Sequence, residues 1–331
     1  MTTTPEQVAA RFTARPTGID RIEAIDGGLI NDTFRVVAGA DEFILQRVNP
    51  AVFADAEAVM ANIRIVTDHV GDDIVPRLRS TLAGERTVPL GGAIWRAWER
   101  VVDAETVEVL NVSQARSAGR LVARFHDRLE GLDPARPATT IAHFHDPAWH
   151  LDRFTRICVD DPLGRARHAR VEIDAIQRQS DLAHLAAELN RAHGPAIAHN
   201  DTKPSNFLFR GDEAVRLIDL DTLMPTAPFW DVADLVRGAA ATGPDDATDP
   251  AAHRARPEMV EAVVAGYRAG RPAGEELELG CVVIAYEQAL RFLTDWLEGD
   301  RHWKTTSPRQ NLDRARGQLA LLASLRTMIG P

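Results

Sequence analysis

The sequence predicts an α+β chain folded as two lobes around a cleft, with a small N-terminal lobe of antiparallel sheet plus helix and a larger, mainly helical C-terminal lobe. Three observations carry this. Strand-like segments separated by glycine-containing turns fill the first hundred residues, whereas apolar residues three and four apart dominate from Ser113 onward. A compact strand, loop and strand block interrupts the helices between residues 196 and 221. The length, 331 residues, exceeds what one undivided core holds. We place the boundary at 101/102, giving lobes 1–101 and 102–331 with a crossover near residues 99–103.

Taken in order, the first element is a helix expected from Pro5 to Arg15. The segment IEAIDGGLINDTFRVVAGADEFILQRVN then reads as strands before Gly27-Gly28, over Thr33 to Val37 and over Phe43 to Val48, with Gly39-Ala40-Asp41 as a turn. Strand alternation puts Gln46 and Arg47 on opposite faces, so only one of them points into the cleft, and that choice stays open. A helix over residues 54–70 packs on the sheet, with Glu57 at its solvated end. ERTVPL and AIWRAWERVVD form two further strands split by Gly91-Gly92, and Glu99 to Asp103 crosses between the lobes.

From Ser113, read as an N-cap, a helix runs to Gly131 with Ala118, Leu121, Val122, Phe125 and Leu129 on its buried face. A proline- and histidine-rich loop follows. Its His143, His145 and His150 read as surface or packing residues, because no second ligand cluster accompanies them. Two helices lead to Arg191, and after the central block three more are expected: Pro257 to Ala269, Glu275 to Leu297 and Leu312 to Met328. TGPDDATDPAAHRAR reads as an exposed loop.

Composition excludes several classes. A net charge of −10 argues against a general nucleic-acid binder, whose footprint is a basic face. Cys158 and Cys281, the only cysteines, are too few for a disulfide framework and lack zinc-site spacing, which fits a reducing cytoplasm. The N-terminus lacks an apolar signal core, and no membrane span is visible. No Walker A loop, HExxH or GxSxG occurs. A cytoplasmic enzyme without nucleic-acid or membrane partners, monomeric or weakly dimeric, is expected.

The chemistry lies in HNDTKPSN, His199 to Asn206, followed thirteen residues after Asn206 by Asp219 of LIDLD. H-x-D-x-x-x-x-N is the catalytic-loop pattern of kinases, in which the aspartate takes the proton of the attacking hydroxyl and the asparagine holds a magnesium ion. Asp201 is thus the candidate base, Asn206 and Asp219 are the metal ligands, and Lys203 reaches the γ-phosphate. Asp221 either joins the metal site or caps the next turn. His199 reads as a structural residue behind the loop, and Asp231 as a structural acid capping the helix VADLVRGAA. Upstream, the turn GGLIND (Gly27, Gly28, Asn31, Asp32, with Thr33 opening the strand) suits a phosphate cover or a plain hairpin. Backbone groups of Glu99 and Val101 would meet an adenine edge. Tyr286, Arg291, Asp295 and Trp296 on the long late helix combine rings and charges that could line a polyol pocket.

Together GGLINDTF, FILQRVNP, IWRAWERV, HNDTKPSNFLF, IDLDTLMP and LRFLTDWLEGD make the chain resemble the aminoglycoside phosphotransferase and choline kinase superfamily, and within it the N-acetylhexosamine 1-kinases. The resemblance implies a protein-kinase-like fold, ATP and Mg2+ as cofactors, and transfer of the γ-phosphate to a small-molecule hydroxyl, most narrowly the anomeric hydroxyl of an N-acetylhexosamine or related hexose. It makes Arg291 the leading sugar contact. An aminoglycoside or amino alcohol acceptor, or a catalytically silent binding protein on the same fold, are the alternatives. The missing DFG glycine, the missing APE segment and LQR in place of a lysine strand argue against a protein substrate.

Overall fold

The fold is taken from a computed structural model that describes residues 4–14, 18–25, 31–50, 52, 53, 55–243, 247 and 249–329. Helix α1 (Pro5–Ala9) is shorter than the helix expected to reach Arg15. Strands β1 (Arg21–Ala24), β2 (Asp32–Ala38) and β3 (Asp41–Arg47) follow, then helix α2 (Ala56–Val70) and strands β4 (Leu78–Arg79), β5 (Val88–Leu90) and β6 (Ala93–Glu99). They form one antiparallel sheet in the order β1-β2-β3-β6-β4, with β5 also on β6. Gly39 (φ 68°) makes the tight β2–β3 reversal, and Gly91 and Gly92 (φ 64° and 73°) make the β5–β6 reversal. All three lie in the left-handed region where a Cβ is penalised. Two-residue β4 falls below the length at which alternation is readable in sequence.

The sheet has two distinct faces. Val36, Phe43, Leu45, Trp95 and Ala97 pack with Val8, Ala9 and Phe12 of the N-terminal segment into a small core. On the other face Ile44 and Trp98 join Val59, Met60, Ile63 and Val66 of α2, and this packing is continuous with the core of the helical region. Gln46 and Arg96, paired in register, lie on this second face.

The remainder is mainly helical. After β7 (Glu105–Thr106) come α3 (Val112–Leu129), α4 (Pro147–Asp160), α5 (Arg170–Arg178) and α6 (Asp181–His193). The cap of α3 is Asn111 rather than Ser113: its side chain accepts from Gln114 N at 2.9 Å while Gln114 reaches back, a capping box. All five residues expected on the inner face of α3 are buried. Three helices, not two, precede the central block, because Gly164 and the turn after it split one helical stretch. Strand β8 (Ala196–Ala198), the hairpin β9 (Phe207–Arg210) with β10 (Glu213–Leu217), and β11 (Met224–Thr226) then build two small sheets, β10-β9-β7 and β11-β8.

Helix α7 (Phe229–Ala240) begins three residues before the expected Val232, and α8 (Pro257–Gly270), α9 (Glu276–Glu298) and α10 (Gln310–Ile329) follow within a residue or two of expectation. Residues 244–246 and 248 of the stretch read as an exposed loop lie outside the described residues. The rest is not uniformly exposed: His253 is wholly buried, with Nε2 against Ala247 O at 2.8 Å. Among the described residues no helix is long and apolar enough to cross a membrane.

Candidate active site

The loop after β8 is held from behind by one buried carboxylate. Asp231, in the first turn of α7, accepts the amides of His199 (2.9 Å) and Asn200 (2.6 Å), and it pairs with His126 Nε2 at 2.8 Å. Its backbone oxygen accepts from the Thr202 hydroxyl. Burial alone would raise this carboxyl, but the His126 hydrogen bond, with His199 adding to it, holds it below the usual carboxylate range. Asp231 is therefore structural as expected. It is not an N-cap, a position filled by Pro228, and its side chain points back at the loop instead of at its own helix.

Asn200 takes a left-handed conformation (φ 69°) that asparagine tolerates. It is fixed there by Nδ2 bonds to Ala198 O and Thr222 O and by a hydroxyl bond from Thr226. His199 is wholly buried, with Nε2 at 2.9 Å from Ile218 O.

Asp201, Lys203, Asn206 and Asp219 converge in front of this scaffold. Asp201 Oδ2 accepts from Lys203 Nζ at 3.0 Å and from Asn206 Nδ2 at 2.9 Å. Asn206 Nδ2 also bonds Asp201 O, and its backbone oxygen accepts from Ile218 N, which ties the loop to the end of β10. Burial pushes the Asp201 carboxyl up, yet the Lys203 ammonium, with His199 and Arg237, outweighs it, so Asp201 is ionised below the ordinary range.

Asp219 sits at φ 60°, ψ 63° and opens a 3-10 turn over Leu220–Thr222. Burial and the like charge of Asp221 push its carboxyl up to about 6. Among the described residues the Asp219 carboxylate and Asn206 Oδ1 have no hydrogen-bond partner. An unpartnered carboxylate raised by burial and by the like charges of Asp221 and Asp201 is donor chemistry that suits a hard cation such as magnesium.

The extended chain expected from Asp219 to Asp221 is contradicted by the 3-10 turn, which carries Asp221 away from a shared face. One Asp221 oxygen is ion-paired with Arg96, which is completely buried, and the other accepts from Asn31 Nδ2 at 2.6 Å. Arg96 also donates Nε to Gln46 Oε1 at 3.0 Å, which Trp98 Nε1 bonds at 2.8 Å; Gln46 Nε2 reaches Thr33 at 3.2 Å.

Gln46 thus points to the α2 face. Arg47 points to the opposite face, half-exposed and paired with its cross-strand neighbour Asp32 at 3.1 Å. The sequence reading missed Arg96, although an arginine inside the apolar run IWRAWE, in register with Gln46, was the available signal. Gly27 and Gly28 lie outside the described residues. Glu99 ends β6, its amide bonded to Arg77 O. Val101 follows, and Val102 O accepts from Arg210, which anchors the crossover to β9.

Of the four residues expected along an acceptor wall, the structure brings Arg291 alone into electrostatic reach of Asp201. Its guanidinium lies 5.0 Å from the Phe144 ring and 5.4 Å from that of Trp303, and pairs with buried Glu287 at 3.5 Å. Tyr286 is wholly buried in the helical core. Asp295 closes the turn after α9 by accepting from the amides of Arg301 and His302 and from Asn311. Trp296 donates to Pro308 O at 3.2 Å and is likewise buried. The 3.6-residue period explains this: Glu287 and Arg291, one turn apart, share a face that Tyr286 and Trp296 do not.

His145, read as a packing residue, does pack, stacked 4.5 Å from Trp230. It also joins Glu287 (3.3 Å) to Asn200 O (3.3 Å). His143 stacks on Trp149 at the surface, and burial lowers His150 to about 4.

Known structures share this architecture. The chain is similar over 99% of its length to an aminoglycoside phosphotransferase of Alicyclobacillus acidocaldarius, covering 97% of that chain with TM-score 0.69 at 16% identity. It is similar over 98% of its length to a microcompartment-associated aminopropanol kinase, covering 97% of that chain (TM-score 0.67, 19% identity). A choline kinase, LicA of Streptococcus pneumoniae, aligns with 92% of this chain and 94% of its own (TM-score 0.59, 14% identity). These similarities establish the two-lobed, protein-kinase-like α+β fold. In sequence, the model of the family described as "Phosphotransferase enzyme family" spans residues 21–277, more than three-quarters of the chain, and the protein therefore belongs to that family of phosphotransferases.

Proposed function

We propose that the protein is an ATP- and magnesium-dependent small-molecule kinase whose acceptor is a sugar, most narrowly the anomeric hydroxyl of an N-acetylhexosamine or related hexose. The observation that carries the kinase reading is the convergence of Asp201, Asn206 and Asp219 on a loop fixed by Asp231. Asp201, kept ionised by Lys203, orients the acceptor hydroxyl and takes its proton. As Asp201 takes that proton and becomes neutral, the Lys203 ammonium paired with it keeps its charge and is left to offset the negative charge of the transferring group. Asn206 Oδ1 and Asp219 would hold magnesium, which when bound supplies charge neutralisation on the phosphates.

The nucleotide would lie against residues 1–101, with Asn31, Asp32, Thr33 and the turn containing Gly27 and Gly28 over its phosphates, Gln46 and Arg47 at the strand end, and Glu99 and Val101 at the adenine edge. The acceptor would lie against residues 102–331. A sugar is supported by Arg291 between two aromatic rings near Asp201. It is also supported by the engagement of Glu287 with His145 and Arg291, which leaves that acid occupied and not open to a cationic acceptor.

Asp201→Asn tests the reading. It is expected to bind nucleotide and lose transfer by about 10³ or more, and turnover near the parent rate would refute it. A panel of N-acetylated hexoses against cationic acceptors, with the position of phosphate read by phosphorus NMR, tests the acceptor. A product phosphorylated away from the anomeric carbon would defeat the narrow assignment.

A further inference from the structure

We infer that Arg96 and Asp221 form a positioning pair that fixes the metal turn against the nucleotide sheet, so that Asp221 acts as an anchor for Asp219 and not as a metal ligand itself. The inference rests on the kinase reading above. Asp221 stands two residues after Asp219 on the same 3-10 turn, and each of its oxygens is already taken by a residue from the first hundred. Arg96 of β6 holds one and Asn31, at the foot of β2, holds the other. Both anchors are themselves braced: Arg96 by Gln46 Oε1 and by Met60 Sδ at 3.6 Å, Asn31 by the Asn49 amide at 3.0 Å. Asn62 of α2 pins the far end of the turn through Leu223 O at 2.8 Å.

The arrangement links three things that have to be aligned for transfer: the turn carrying Asp219, the strand end at Gln46, and the chain leaving the GGLIND turn at Asn31. Kinases couple a strand lysine to an acid on a helix for the same purpose. In this chain the strand residue that faces the metal turn is Gln46, which is neutral, and the cation comes from Arg96 of the neighbouring strand while the acid comes from Asp221 of that turn. Arg96, being fully enclosed, acts through Asp221 and Gln46 and not by touching the nucleotide.

The discriminating variant is the double substitution Arg96→Met with Asp221→Leu. It leaves net charge unchanged and replaces a buried ion pair by apolar groups, an exchange that is often neutral for stability. Asp221 acts on the Asp219 charge more strongly than Arg96 does, so Arg96→Lys, which keeps both charges and loses only the fork, is measured beside the double variant to separate position from field. Calorimetric titration of a non-hydrolysable ATP analogue at graded Mg2+ is the readout, alongside thermal melting. The expected result is an about tenfold or larger rise in half-saturating Mg2+, the size seen when support for a metal ligand is removed, with melting near that of the parent.

An unchanged Mg2+ requirement in the folded double variant overturns the inference. If that variant does not fold, Arg96→Lys carries the test: it retains the charge and loses the fork to Gln46, so a smaller rise supports the pair and none overturns it. A parent that binds the analogue independently of Mg2+ overturns the kinase reading and this inference with it.

Discussion

The Asp219 carboxyl carries a cost in the folded protein that a bound cation, as proposed above, would relieve. Burial and the adjacent Asp221 lift its carboxyl from 3.8 to about 6, so with each unit worth about 1.4 kcal/mol, the ionised group costs roughly 3 kcal/mol of stability at pH 8. The sign follows from linkage. A carboxyl raised on folding binds protons more readily in the native state, so its cost is full above about pH 6 and is relieved as pH falls through 6 toward 3.8. Asp219→Asn keeps the side-chain shape and the tolerance for left-handed backbone at φ 60° while deleting the charge.

The metal-free variant should therefore melt higher than the parent at pH 8, by on the order of 5 °C for a chain of this size. The difference should shrink to nothing near pH 4. Magnesium with nucleotide should raise the parent's melting temperature and leave the variant's nearly unchanged. Scanning calorimetry at pH 8 and pH 4, with and without Mg2+, reads all three. A variant that melts at or below the parent at pH 8 without metal refutes the reasoning, because Asp219 would then be stabilising the apo fold.

Three further outcomes follow from the same geometry. Gly119→Ala would put a Cβ 2.2 Å from Val263 O across the α3–α8 contact and should cost about 3 kcal/mol in urea unfolding, since backbone has to move. Asp231→Ala strips two loop amides and His126 of their acceptor and should cost about 3 to 5 kcal/mol. Because Asp231 is depressed on folding, its contribution is present above 3.8 and is lost as pH falls through its native value, so the variant's stability should fall less steeply in acid than the parent's. Arg291→Ala should raise KM for the acceptor roughly ten- to a hundredfold with KM for ATP unchanged, as initial-rate kinetics would show.

The gathering of His199, Asp201, Asn206 and Asp219 was legible because it is local: the first three are close in sequence, and a short hairpin returns the chain to Asp219. The helices were legible where apolar spacing persisted over several turns, as in α3. What escaped was set by partners far away in sequence. Asp231 looks like a helix-start acid until the loop thirty residues earlier folds onto it. Arg96 looks like an interruption in a strand until Asp221 arrives from 125 residues later. Asp221 itself was placed on the wrong face because extended backbone was assumed where Asp219 turns left-handed. Tyr286 and Trp296 share the helix with Arg291 but not its face, because the helical period separates them, while Asp295, one turn beyond Arg291, is taken up by the turn that follows α9.

His145 has one ring nitrogen on Glu287 of α9 and the other on the carbonyl of Asn200, the residue before Asp201. On the proposed reading, in which α9 faces the acceptor and Asp201 is the base, acceptor preference and alignment of Asp201 are consequently coupled through His145. Grafting a foreign α9 would release the imidazole that abuts the loop, and on that reading it is expected to lower turnover before it alters selectivity. Retargeting therefore has to begin with side chains that leave Glu287 and His145 in place, or exchange the loop, His145 and α9 as a single inherited block.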